Sequence, residues 1–320
     1  MIEIDGSFHE GGGQILRTSL ALSAITKKPF HITKIRAGRC NPGLQAQHMK
    51  SVEAAAMLCN ASVSGNELGS QEVTFKPKDI ISGIFDIDVG TAGAIALIFQ
   101  TVIPICVRAK GEVKLKIKGG TDVQWAPPMF YVQHILCDYL KRIGISVTVT
   151  INKFGFYPKG GGEVLIDVVP CKKLLPIDIQ QTGMLQRIDV HSTATTSLEK
   201  ANVAGRQIDG FVRNIGKLYQ PIVKNKFVHY VDSLSIGTSI HAHAHFEYAK
   251  LGASVLGERD KKAETVGAQC AERLIKQIKG RAPFDEYMED QIIPFMALSS
   301  LDNKSTSIIR VGHLTKHTET

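Results

Sequence analysis

The sequence predicts an α+β fold assembled from a repeated unit, two helices on one face of a small sheet, with a separate α/β segment inserted late in the chain. Two glycine-rich starts, GGGQIL at 11–16 and GTAGAI at 90–95, each open an apolar helix. Gln47-His48 and Gln133-His134 recur at the same place in the second helix of each copy. Near residue 182 the pattern breaks, and it resumes only after Pro283.

In the first copy a helix is expected over 11–26, then the strand FHITKIRAG, a loop holding Pro42, a helix over 43–59 and the closing strands ASVSG and EVTFKP. The second copy has a helix over 93–105, the strand EVKLKIKGG, a loop with Pro127 and Pro128, a helix near 128–143, and the strands ISVTVTI and GEVLIDVVP. Apolar and polar residues alternate through the strands, and the helices keep a helical period. The run GAIALIFQTVIPICV (93–107) reads as a buried helix running into a strand. With Gln100 and Pro104 inside it, it falls short of a membrane span. Residues 184–275 read as the inserted α/β domain, with helices at 198–217 and 262–279. The remaining chain, 1–183 and 276–320, forms the repeated core. After Pro283 the order helix then strand returns (FDEYMEDQIIPFMALSS, TSIIRVGHLTKHT), which suggests a third copy.

Bulk properties narrow the function classes. A chain of 320 residues with 43% hydrophobic and 21% charged residues can bury a large core. A net charge of +8 favours an anionic partner such as a nucleotide or nucleic acid. Cys40, Cys59, Cys106, Cys137, Cys171 and Cys270 are scattered without a CxxC pair. That argues against a zinc or disulfide framework and for free thiols in a reducing cytoplasm. The start, MIEIDGS, shows no basic-then-apolar signal.

The chemistry concentrates in residues 9–52. Forty-two consecutive residues, 11–52, hold seven Lys or Arg and no acid. They begin at a glycine triplet that opens a helix. Backbone N–H groups at a helix N-terminus point toward an anion, and glycines allow close approach. Arg17, Arg36 and Arg39 can add planar donor forks suited to phosphate. Neither a Walker loop nor GxGxxG is present. Glu10, ahead of the loop, has two readings, a ligand for a divalent metal or an acid favoured by the helix dipole. HAHAH (241–245) places three histidines on one strand face. With no cysteine or paired carboxylate beside it, it reads as an ordinary exposed face rather than a metal site. GFYPKGGGE (155–163) reads as a hairpin turn.

Taken together, DGSFHEGGGQILRTSLALS, IRAGRCNPGLQAQH, GTAGAIALIFQTVIP, GGTDVQWAPP, GFYPKGGGE, YMEDQ and HTET closely resemble the RNA 3′-terminal phosphate cyclase family over nearly the whole chain. The resemblance implies three units, each of two helices on a four-stranded sheet, like the C-terminal domain of bacterial initiation factor three, with a small α/β domain inserted. It implies an ATP-dependent enzyme of the ligase class that converts an RNA 3′-terminal phosphate to a 2′,3′-cyclic phosphate. A covalent histidine–AMP intermediate forms, and pyrophosphate and AMP are released. His317 matches the histidine of the family's HxxTN motif and Thr320 its threonine. The asparagine and closing strand of that pattern fall beyond Thr320, which leaves the completeness of a third unit open.

By the same resemblance Glu10 holds a divalent metal, magnesium or manganese, at the ATP phosphates. Arg17, Arg36, Arg39 and Gln47 line the phosphate and RNA site. Gln100 and the segment Tyr287, Met288, Glu289, Asp290 and Gln291 contact ATP. Cys40 and Asn41 stand where many relatives have Lys after the second arginine of RAGR. The implied partners are ATP and RNA with a 3′-terminal phosphate, in the cytoplasm and away from membranes, with a homodimer left open. Two other classes share parts of the pattern. Cyclase-like ribosome-assembly proteins lack the nucleophilic histidine, and enolpyruvate transferases lack the RAGR…QH and HTET motifs.

Overall fold

The chain is α+β, and the computed structural model describes all of residues 1–320. The first sheet is formed by β1 (Ile2–Asp5), β2 (Phe30–Thr33), β3 (Ser62–Ser64) and β4 (Val73–Lys76), and carries α1 (Gln14–Thr26) and α2 (Ala46–Cys59). The second is formed by β5 (Gly83–Asp88), β6 (Val113–Gly119), β7 (Ser146–Lys153) and β8 (Gly162–Val169). It carries α3 (Ile95–Cys106) and a continuous helix made of α4 (Met129–Tyr131), a π-helical stretch (Val132–Leu136) and α5 (Cys137–Arg142). The strand orders, β1-β2-β4-β3 and β5-β6-β8-β7, are alike. In both sheets the first pair is parallel and the others antiparallel.

The alternation in β6 explains its placement. Val113, Leu115 and Ile117 point into the core, while Lys114 and Lys118 face solvent. α3 is buried on nearly every side, so it reads as an unbroken apolar run rather than an amphipathic stripe. It stays helical through Pro104 to Cys106, and the strand expected at its end does not form; β6 begins only at Val113. The short opening strands β1 and β5, ahead of each glycine loop, were not expected from the pattern.

β9 (Asp178–Ile179) pairs in parallel with β14 (Ile308–Ile309), with α8 (Glu289–Asn303) and α9 (Lys316–Glu319) beside them. Between them lies a second α/β layer of β10 (Leu185–Thr195), α6 (Val203–Asn214), β11 (Val223–Val231), β12 (Thr238–Phe246), β13 (Lys250–Leu256) and α7 (Ala263–Gly280). Its sheet order is β11-β10-β12-β13, and its hydrophobic core, Ile188 to Ile278, is separate from the main one. α7 runs to Gly280, so the expected boundary at 275 falls inside a helix. No helix is long and apolar enough to cross a membrane.

The HAHAH face is not exposed, contrary to expectation. In β12 the residues Ile240, Ala242 and Ala244 pack toward α6 and α7, which turns His241, His243 and His245 to the opposite face. That face is covered by the helix 129–142, so His241 and His243 are buried. Phe130, His134, His191 and His229 complete an aromatic seam, with Phe130 and His191 ring centroids 4.9 Å apart and His134 and His243 4.8 Å apart. His241 Nε2 meets Asp122 Oδ1 at 3.0 Å, and its Nδ1 meets Ser254 Oγ at 2.8 Å. The alternation within β12 was legible; the covering element, roughly 100 residues away in sequence, was not.

Burial around this seam favours the neutral form of five imidazoles. It lowers His191 to about 3 and His134 and His245 to about 4, and it also lowers His229 and His243. A histidine with a depressed folded pKa leaves the unfolded state binding more protons, so its stability is complete above the unfolded value and is lost as pH falls below it. His191 alone should cost up to about 2 kcal/mol at pH 5, taking about 6.5 as its unfolded value. Urea midpoints measured from pH 7 to 5 should therefore fall, and His191→Phe should fall less steeply than the wild type. Parallel pH profiles for the two proteins would contradict the assignment.

Candidate active site

The loop between β1 and α1 shows why it carries three glycines. Gly11 has φ of 57°, the left-handed region. At Gly12 a Cβ would lie 2.9 Å from Glu10 Oε2, and at Gly13 2.5 Å from His48 Nε2 and 3.0 Å from Arg17 Nη1. The triplet thus lets Glu10, Arg39, Arg17 and His48 close around the start of α1. That helix has no capping side chain and no acid in its first turn, so its leading N–H groups are left for an anion.

The C-terminal segment delivers a histidine to this loop. Glu289, 1% exposed, accepts hydrogen bonds from Thr315 N at 2.8 Å and Thr318 Oγ1 at 2.9 Å. Thr315 Oγ1 in turn accepts from Thr318 N at 3.2 Å and caps α9. Gln14 Nε2 donates to the His317 carbonyl at 3.0 Å. The His317 ring then spans two carboxylates, with Nε2 3.0 Å from Glu10 Oε2 and Nδ1 3.7 Å from Asp290 Oδ2. Arg39 pairs with the other oxygen of Glu10.

Electrostatics favour a neutral imidazole here. Burial lowers the His317 pKa; Asp290 opposes this, while Arg17 and Arg39 add to it. Burial raises Asp290. Burial brings Arg17 down to about 10, which still leaves it cationic at neutral pH. His48 is held near 3 by burial and by the charges of Arg36 and Arg17. Its Nδ1 accepts from Gln45 N at 3.2 Å, which places the proton on Nε2, facing Gly13.

Glu10, Arg17, Arg39, Asp290 and His317 therefore meet at one point, with Gln14 and His48 beside them. Gln100 Nε2 donates to Gln291 Oε1 at 2.9 Å, in a cleft between α1, α3 and α8 that also contains Gln14, Arg17, Asp290 and Phe99. Gln47 Oε1 accepts from Ala94 N at 3.3 Å and so joins the start of α2 to the start of α3. Arg36 acts electrostatically on His48, and its hydrogen bonds go to the loop. Its Nη1 donates to the carbonyls of Asn41 and Gly43 at 2.7 and 2.8 Å, shaping the loop. Met288 is fully buried in the main core and presents no side chain to the cleft. Tyr287 is half-buried against Tyr131, ring centroids 6.0 Å apart. Sequence reasoning assigned no role to Asp285, which accepts from Tyr131 OH at 2.6 Å and Gly252 N at 2.8 Å and ties α4 and β13 to the turn before α8. An acid shortly before a helix was its only local signal.

Comparison with known proteins places the whole chain. The family described as RNA 3′-terminal phosphate cyclase matches residues 8–320. The chain is similar to the RNA 3′-terminal phosphate cyclase of Caldivirga maquilingensis, 44% identical over 98% of this chain and 90% of the relative. It is also similar to those of Pyrococcus furiosus, 42% identical over 99% and 90%, and Saccharolobus solfataricus, 43% identical over 93% and 87%.

The docking of the tail on Glu289 can be tested directly. Two hydrogen bonds to a buried charge contribute about 2 kcal/mol, or about thirtyfold in the population of the undocked tail. Glu289→Ala should accelerate tryptic cleavage after Lys316 by about that factor. An unchanged cleavage rate, with the core equally resistant in both proteins, would show that Glu289 does not hold the tail.

Proposed function

The chain belongs to the RNA 3′-terminal phosphate cyclase family, and we propose that it converts an RNA 3′-terminal phosphate to a 2′,3′-cyclic phosphate with consumption of ATP. The observation that carries this reading is the placement of the His317 ring against a basic, glycine-lined helix start, where burial lowers its pKa toward the neutral form. A neutral imidazole is a good nucleophile near pH 7, and a phosphorylated imidazole is a good leaving group.

The proposed sequence has three steps. An imidazole nitrogen of His317 attacks the α-phosphorus of ATP, the bond to the β-phosphate oxygen breaks and pyrophosphate leaves. The RNA 3′-phosphate oxygen then attacks the same phosphorus, the P–N bond breaks and AMP passes to the RNA end. Last, the neighbouring 2′-hydroxyl attacks the activated 3′-phosphate, loses its proton and expels AMP. Ring closure draws its advantage from proximity, since nucleophile and phosphate share one ribose.

Phosphoryl transfers of this kind need positioning and charge neutralisation. Arg17 and Arg39 supply cationic forks beside the ring, and the N–H groups at the start of α1 supply dipoles. The cleft between α1, α3 and α8 suits the nucleoside, with the Gln100–Gln291 pair at its polar end. Glu10 is the hard oxygen donor that would hold a magnesium or manganese ion, although the chain presents no cluster of three His, Cys, Asp or Glu side chains there and Glu10 is paired with Arg39 and His317. Such an ion keeps most of its ligands as water and phosphate oxygens and would neutralise charge on the phosphates. Arg36 shapes the loop through Nη1 and adds positive charge beside His48.

The architecture fits the same reading. We take β9, α8 and β14 as the start of a third unit in which a parallel pair flanks a helix, as in the first two. The α/β domain from β10 to α7 is then inserted after the opening strand of that unit, rather than between two units.

Incubation with ATP labelled at the α-phosphate, with magnesium or manganese, should leave covalent AMP on the protein. His317→Ala should abolish the label, and His313→Ala should keep most of it. Undiminished labelling of the His317 variant would refute the proposed nucleophile. A DNA 3′-phosphate should accept AMP and stop there, because it lacks the 2′-hydroxyl that closes the ring. Absence of capped DNA at every enzyme concentration would contradict this separation of activation from cyclisation.

A further inference from the structure

Trp125 is the only tryptophan in the chain, and it is 95% exposed. Its backbone lies at φ of 65°, a region that bulky side chains rarely adopt. An exposed indole on a strained backbone persists only when the surroundings hold it there. They do so here. Thr121 N donates to the Gly155 carbonyl at 2.9 Å, Gly155 N donates to Thr121 Oγ1 at 3.0 Å, and Asp122 is fixed by His241. The 155–161 loop so joined presents Tyr157, 77% exposed. It also binds the inserted domain, with Lys159 N donating to Ser235 Oγ at 3.0 Å beside exposed Leu234 and Ile236. Four large apolar side chains thus stand uncovered on three adjoining loops, and such a patch marks an interaction site.

The patch continues from the site described above. Gly120 N donates to the Gly93 carbonyl at 2.9 Å, and a Cβ at Gly160 would lie 2.7 Å from the Thr91 carbonyl oxygen. Those residues lead to Ala94, which Gln47 ties to the start of α2 and so to His48 and Gly13. Its borders are basic. Lys118 and Lys153 sit opposite Glu163 on the two neighbouring strands, at the end of the sheet from which the loops emerge. Glu163 is already paired with Lys116 at 3.1 Å and also attracts Lys153, while Lys118 and Lys159 make no ion pair. Exposed aromatic rings among exposed lysines suit a single nucleic-acid strand, whose bases stack on the rings and whose phosphates follow the cations.

We propose that Trp125 and Tyr157 form a stacking platform for the nucleotides that precede the reactive 3′ end of RNA, with Lys118, Lys153 and Lys159 along their phosphates. This rests on the RNA-cyclising reading above and adds where the strand leaves the site.

The lone tryptophan reports on its own role. Its fluorescence should be quenched saturably by a short single-stranded RNA bearing a 3′-phosphate, with the dissociation constant given independently by anisotropy of a 5′-labelled strand. The double variant Trp125→Leu, Tyr157→Leu should bind that RNA about tenfold more weakly or worse. Trp125→Phe with Tyr157→Phe should restore most of the affinity, and thermal midpoints would verify that both variants are folded. Equal RNA affinity in the folded Leu variant, or binding that leaves the fluorescence unmoved, would overturn the platform. Failure of the wild-type protein to form covalent AMP would instead overturn the proposed reaction, whatever the RNA affinity.

Discussion

The contact between Glu289 and the segment Thr315–Thr318 holds the site together. The glycine loop, Arg17 and Arg39 are supplied by the first sheet and its helices, but the imidazole comes from the far end of the chain. A short helix of four residues has little stability of its own. It is held because a carboxylate excluded from water has two donors in that segment, and because Gln14 anchors the His317 carbonyl. Glu289 therefore positions the His317 ring without touching the loop.

The resting cluster is self-neutralising. Glu10 sits between the Arg39 guanidinium and the His317 ring, and Asp290 lies between His317 and Arg17. The two carboxylates keep Arg39 and Arg17 close together around the His317 ring without a bound anion. Each carboxylate also orients one nitrogen of the ring, so the tautomer of His317 depends on which carboxylate is engaged. A phosphate-bearing ligand would compete with Glu10 for Arg39, coupling binding to the release of the imidazole Nε2.

Much of this was legible in the sequence wherever the signal was local. The Val113–Gly119 alternation, the apolar run of α3 and the acid-free stretch after Glu10 map onto a strand, a central helix and the basic loop. What was not legible depends on contacts between distant segments. HAHAH looks like a solvent face until the helix carrying Phe130 and His134 covers it. Arg36 and Arg39 look equivalent in RAGR, yet one serves loop carbonyls and the other Glu10. YMEDQ reads as one binding segment, but a helical period sends Met288 and Glu289 inward while Asp290 faces His317. β1, β9 and β14 are too short, at four, two and two residues, for alternation to reveal them.

Docking of the tail thus sets both the protonation and the position of His317. Histidine ring resonances followed by NMR across pH, in the wild-type protein and in Glu289→Ala, probe both at once. Wild-type His317 should titrate below the free imidazole value of about 6.5, as its burial beside Arg17 and Arg39 requires. In the variant its titration should return toward that value as the tail undocks. A His317 that titrates like free imidazole in the wild type, or identically in both proteins, would show that tail docking does not govern the proposed nucleophile.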